Sequence, residues 1–155
     1  MTFETWQATV PDMIRKDTLW RVEAYRLSLF LADLSMIDFP KLLRKRQTLS
    51  HADQLARSSA AISSDIAEGY SRNTGKDRAK FYSYALGSAR EARDWYYKAR
   101  SSMTETAAAH RMELLTQIIR LLIRMIDNEA HANKRLLSSS INNQQSPQAA
   151  PLNNL

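Results

Sequence analysis

Apolar residues recur at helical spacing along most of the chain, in four long stretches separated by short polar breaks. Leu19, Val22, Tyr25, Leu29, Ala32 and Met36 fall three and four apart, which predicts a first helix over about Asp17–Met36. Trp20, Leu27, Phe30, Leu31 and Leu34 widen its stripe. The "DFP" run is expected to stop it, because the residue before Pro40 is pushed out of the α region. A second helix is expected over about Ser50–Tyr70, with Leu55, Ser59, Ile62, Ile66 and Tyr70 as its stripe. Ser50 and Asp53 suit a capping box at its start, and Gly69 suits a stop at its end. A third helix is expected over about Gly75–Met103, capped by Thr74 with Asp77. Its core stripe reads Phe81, Tyr84, Ala85, Ser88, Ala92, Trp95 and Ala99, and Gly87 inside it is expected to admit a close helix neighbour. The fourth, about Glu105–Leu137, carries Leu114, Leu115, Ile118, Ile119, Leu121, Leu122, Ile123, Met125 and Ile126. That arc is wider than one core needs, so its surplus is expected at the centre of the body or against another subunit.

Long helices joined by short connections predict an all-α protein, an antiparallel up-down four-helix bundle. Three Gly and four Pro in 155 residues fit few turns. The organisation expected is a partly ordered N-terminal segment over 1–16, in which Phe3 and Trp6 are candidates to dock, the bundle over 17–137, and a tail over 138–155. The tail holds no charge and two prolines, and is expected to be disordered.

Several chemistries drop out. Cysteine is absent, which removes disulfides and Cys-held zinc and fits a cytoplasmic protein. No signal peptide and no apolar run of about 18 residues is visible, so no membrane role is expected. His51, His110 and His131 are scattered, without the HExxH or ExxH spacing of helical metal sites, so no metal or cofactor is expected. "GYSRNTGK" superficially resembles a phosphate loop. It has five residues between its glycines rather than four, Asp77 where Ser or Thr belongs, and helices on both sides, so nucleotide binding is rejected.

Charge changes the picture most. The net charge is +6, and all of the excess precedes residue 138. Residues 71–100 hold eight cations against three acids, and residues 41–57 hold five against one. Arg90, Arg93, Tyr97 and Arg100 fall on one helical face, which Lys76 and Lys80 extend; Lys41, Arg44, Lys45 and Arg46 form a second group. Spaced cations with a tyrosine among them suit successive phosphates and a stacked base, against the plainer reading of a solvated helix face. Gln54, Arg57 and Glu68 share a face of the second helix. With Glu91, and with Glu23 as a further candidate, they suggest either an acid–base site or a register-fixing polar network inside the bundle or at a subunit seam; the network is favoured, since no nucleophile or histidine accompanies them. No catalytic residue is assigned.

The stretch "QLARSSAAISSDIAEGYSRNTGKDRAKFYSYALGSAREA" resembles the bacterial four-helix-bundle proteins named for reading frames inside 23S rRNA intervening sequences. Their pattern is Q-x-x-R-A-x-x-S-I-x-x-N-I-A-E-G, then G-S-x-x-E. Gln54, Arg57, Ile62, Ile66, Ala67, Glu68, Gly69, Gly87, Ser88 and Glu91 match it; Ser58, Ala61 and Asp65 depart from it. Phe39–Pro40 resembles the F-P that ends the family's first helix, about four residues further from the motif. The resemblance implies a ring-like homopentamer. It also implies similarity to the accessory variability determinant proteins of diversity-generating retroelements, basic pentamers that bind nucleic acid and a reverse transcriptase. The expectation is therefore a non-enzymatic protein binding nucleic acid, a structured RNA or an RNA/DNA hybrid, with itself and a reverse transcriptase as partners. The alternative is an oligomeric interaction scaffold without a nucleic-acid role.

Overall fold

The computed structural model describes residues 1–144, leaving aside the side chains of residue 47 and residues 140–144. Six α-helices run in order: α1 (Phe3–Gln7), α2 (Asp12–Arg15), α3 (Glu23–Leu43), α4 (Leu49–Tyr70), α5 (Gly75–Ala99) and α6 (Glu105–Gln144). Single 3-10 turns stand at Thr18–Arg21, Arg46–Thr48 and Arg100–Ser102. No strand is present among the described residues. The protein is all-α. Each of the four long helices packs on the next, and α6 returns to α3. One core joins them: Phe30, Leu31 and Leu34 of α3, Leu55, Ile62 and Ile66 of α4, Ala85, Ala92 and Tyr96 of α5, and Leu115, Ile118 and Leu122 of α6.

The stripes are displaced from those expected on two helices. On α3 the widening set is the core, with Ala24, Leu27, Phe30, Leu31, Leu34, Asp38 and Leu42 buried. Leu19, Val22, Tyr25, Leu29 and Ala32 are half-buried, and Met36 is exposed. Residues 18–21 form a 3-10 turn capped by Asp17, so the first long helix starts six residues later than expected. It also passes through Pro40 to Leu43. The ring removes only the bond to the Met36 carbonyl, one turn from the helix end and beside exposed side chains, while Asp38 and Leu42 anchor the same turn inward. On α5 the buried line is Tyr82, Ala85, Ala89, Ala92, Tyr96 and Ala99, while Tyr84 is exposed and Phe81, Ser88 and Trp95 are half-buried.

Caps differ too. Ser50 lies inside α4, and its box with Asp53 does not form. Thr48 takes the cap position, but its hydroxyl donates to the Leu42 carbonyl at 2.7 Å and so ties α4 back to α3. Thr74 does cap α5, accepting from the Asp77 N–H at 3.1 Å and donating to the Asp77 carboxylate at 2.6 Å. α6 runs on through Ser138 to Gln144, further than expected, and residues 145–155 of the expected disordered tail lie outside the described residues.

Gly69 and Gly87 do not take their expected roles. Gly87 faces open space. Gly69 has no left-handed backbone and does not terminate α4; it is buried where Tyr82 of α5 crosses. A Cβ there would stand 2.7 Å from Tyr82 Cε1 and 3.0 Å from Phe81 Cβ. Gly69→Ala is expected to lower unfolding free energy by about 1–3 kcal/mol, since a buried ring has little room to retreat. A second change, Tyr82→Leu, should shrink that penalty in a urea-denaturation double-mutant cycle.

The N-terminal segment is docked. Trp6 is buried, stacks on Trp20, lies tilted against Phe30, and donates its indole N–H to Asp33 Oδ2 at 2.6 Å. Phe3 packs edge-on against Phe30.

Candidate nucleic-acid interface

Two helix connections meet at one end of the body, and each brings basic residues. The last turn of α3 carries Lys41 and the α3–α4 connection carries Arg44, Lys45 and Arg46, all exposed. The α5–α6 connection follows Arg100. Lys45 Nζ donates to the Ser101 carbonyl at 2.7 Å and fastens the two together. Between them opens a cleft of about 460 Å³ lined by Lys41, Arg44, Lys45, Ser101, Ser102, Met103 and Thr104. It holds three cations and no carboxylate. An adjoining cleft of about 600 Å³ shares Ser101 and Met103 and adds Arg100, Glu105, Ala108, Ala109 and Met112.

Arg90, Arg93 and Tyr97 approach the same end along α5 and, with Asp94 and Met112, line a third cleft. Arg93 Nη1 donates to Thr116 Oγ1 of α6 at 3.2 Å, which fixes its direction. Tyr97 is exposed, and the Arg100 guanidinium lies 4.0 Å over its ring while donating to the Tyr97 carbonyl. Of the ten basic and aromatic residues singled out for this surface, seven line these clefts, Lys41, Arg44, Lys45, Arg90, Arg93, Tyr97 and Arg100, and Arg46 follows Lys45 in the α3–α4 connection. Lys76 and Lys80 do not join them. They stand in the first turns of α5, and Lys76 is about 36 Å before Arg100 at 1.5 Å per residue. Helical rotation also turns Lys80 by about 100° from Tyr97.

The expected polar network is not assembled. Gln54 is half-buried; Arg57, Glu68 and Glu91 are exposed, as is Glu23. Glu68 pairs with Arg72, and Glu91 accepts from the Trp95 indole at 3.2 Å. The pattern put them on helix faces correctly, but those faces point outward in a single chain.

A different cluster is buried at the basic end. Asp38 is fully buried and accepts from Arg111 Nε at 2.8 Å, Lys41 Nζ at 3.2 Å and the Tyr96 hydroxyl at 3.3 Å. It joins α3, α5 and α6. Burial, then the Asp38 charge, pushes the Tyr96 phenol well above the ordinary phenol range. Arg111 Nη1 sits 2.8 Å from His110 Nδ1; a guanidinium only donates, so that nitrogen accepts. Burial, then the Arg111 charge, lowers the His110 pKa. One signal was available in the sequence: Asp38 follows Leu34 and precedes Leu42 at steps of four, so a carboxylate stands on the apolar line.

No group of three or more His, Asp or Glu residues is placed to hold a metal ion among the described residues. No described helix is long and apolar enough to cross a membrane.

The family described as 23S rRNA-intervening sequence protein matches residues 22–128, well over half the chain. Among solved structures, the chain is similar to a protein with unknown function from the S23 ribosomal protein family of Bacteroides thetaiotaomicron VPI-5482, whose crystal structure was determined at 1.70 Å. The two are 22% identical, with a TM-score of 0.62, over 66% of this chain and 97% of that one. At that identity the likeness speaks to the fold alone. No curated protein matches.

Proposed function

Because the chain belongs to the 23S rRNA-intervening sequence protein family, we propose that it is a non-enzymatic binding protein, an up-down bundle that assembles with itself and holds nucleic acid, RNA before DNA, on its basic end. The cleft of Lys41, Arg44 and Lys45, free of carboxylates and fastened to the Arg100 connection, carries this reading. Phosphates supply most of the affinity of such a surface, so binding falls steeply with salt. Fluorescence anisotropy with a labelled structured RNA is expected to show a linear fall of log K against log salt. The triple reversal Arg90→Glu, Arg93→Glu, Arg100→Glu should weaken binding and leave helicity intact by circular dichroism. Equal affinity of the reversed protein and the wild type would remove this surface from the reading.

Self-assembly into a ring, a pentamer in the family resemblance, draws on a separate observation. Arg57, Glu68, Gly87 and Glu91 belong to the family pattern yet are exposed in one chain, and Gly87 has nothing within 4 Å of an added Cβ. Packing inside the chain therefore does not explain them. A neighbouring subunit across α4 and α5 would.

A further inference from the structure

The basic end has two unlike parts. The first grips charge. In the cleft beside residues 101–104, Lys41 gives one contact to Asp38 and Lys45 one to the Ser101 carbonyl. An ammonium has three donors, so both retain hydrogen-bonding capacity for a ligand. Arg44 beside them is exposed.

The second part is apolar and aromatic. Met103, Ala108 and Met112 line the neighbouring cleft of about 600 Å³, with Arg100 and the Glu105 carboxylate among its polar groups. Next comes the Tyr97 ring, 55% exposed, with the Arg100 guanidinium over it. A paired helix hides its bases and presents a broad, regular row of phosphates, which gives a methionine-lined cleft and an exposed ring nothing to contact. An unpaired strand turns its bases outward. Its phosphates suit the lysine and arginine cleft, and a base suits the Tyr97 and Arg100 planes.

We infer that the end of the body formed by residues 41–45 and 97–104 is a site for an unpaired polynucleotide strand, and that Lys76 and Lys80 stand outside it. This rests on the nucleic-acid reading proposed above and narrows it to one form of ligand and one end of the molecule.

The test compares a labelled oligouridylate with an RNA duplex of equal length, by anisotropy on the full chain across a salt series. The oligouridylate is expected to bind about ten-fold tighter or more. Tyr97→Ala should weaken it about ten-fold through lost stacking, with Tyr97→Phe near wild type. The pair Arg44→Glu, Lys45→Glu should reduce the salt slope by about 1–2. The pair Lys76→Glu, Lys80→Glu should leave affinity within about two-fold, since neither contacts the strand. Equal or tighter duplex binding overturns the inference, as does indifference to Tyr97→Ala or an equal loss from the Lys76 and Lys80 pair. All three leave the broader reading standing. Failure of both probes to bind at low salt overturns that reading and this one with it.

Discussion

Arg111→Met is expected to lower unfolding free energy by about 3–5 kcal/mol, more than any change on the charged exterior. The reason is what it leaves behind. Asp38 is fully buried, and Arg111 supplies its shortest charged hydrogen bond, 2.8 Å from Nε, with a second from Nη2 at 3.4 Å. Without the guanidinium, a carboxylate inside the body keeps only Lys41 and the Tyr96 hydroxyl. The cost is therefore that of an unpaired buried charge, not the net worth of the pair. The triple change Asp38→Ala, Arg111→Met, Tyr96→Phe removes charge, donor and phenol together, and should recover a large part of the loss in urea denaturation. Lys98→Ala gives the contrast. Its pair with Asp94 is exposed on both sides, so it should cost less than about 1 kcal/mol. A loss under about 1 kcal/mol for Arg111→Met would mean that water already reaches Asp38.

The Asp38 cluster also explains why the basic end holds its shape. Lys41, one of the three cations of the cleft, is tied to Asp38 one turn earlier on α3. Thr48 reaches back to the Leu42 carbonyl, and Lys45 crosses to Ser101. These contacts bring two stretches of sequence more than fifty residues apart to the same cleft. Repulsion between the cations is opposed at Lys41 by the buried Asp38 carboxylate.

What the sequence made legible follows from the range of the interactions involved. Helix existence rests on local periodicity, and each of the four expected long helices is present, with the bounds of α3 and the end of α6 shifted. Thr74 also caps as expected, because capping involves neighbours along the chain. The errors come where a partner decides. Which of two adjacent stripes on α3 and α5 faces inward depends on the helices opposite; a shift of one residue turns a helix face by about 100°. Gly69 reads as a terminator locally and proves to be clearance for the Tyr82 ring, thirteen residues on. Arg57 and Glu68 have the spacing of one face, but in a single chain they and Glu91 are exposed, and the two carboxylates turn to Arg72 and Trp95 rather than to each other's elements. Of the candidate surface, the meeting of the 41–46 and 90–100 groups was invisible, because it depends on the path of two connections. The division of Lys76 and Lys80 from the rest was computable from helical rise alone.

Trp6→Ala carries the second large expected effect, and it separates two accounts of the first 21 residues, which precede the family match. Trp6 is 3% exposed and lies against Phe3, Trp20 and Phe30, with its indole N–H on Asp33. Truncating a buried tryptophan costs about 3–5 kcal/mol when the surrounding structure stays in place. Here the segment can instead lift away, so the loss is capped at the free energy of docking it. Trp6→Phe should cost far less than Trp6→Ala, because the ring contacts survive and the exposed Asp33 turns to water. Deleting residues 1–10 gives the decisive comparison in urea denaturation. If the segment docks as its own unit, the deletion and Trp6→Ala lose the same free energy, and hydrogen exchange in Phe3–Gln7 accelerates in the point variant alone of the amides followed. If the segment folds as one unit with α3 and α6, the deletion costs clearly more. The contacts favour the first outcome: Trp6 joins the edge of the core through Phe30, Phe3 and Val10 pack against it, and α1 meets chiefly α3, while the long helices pack mainly on one another.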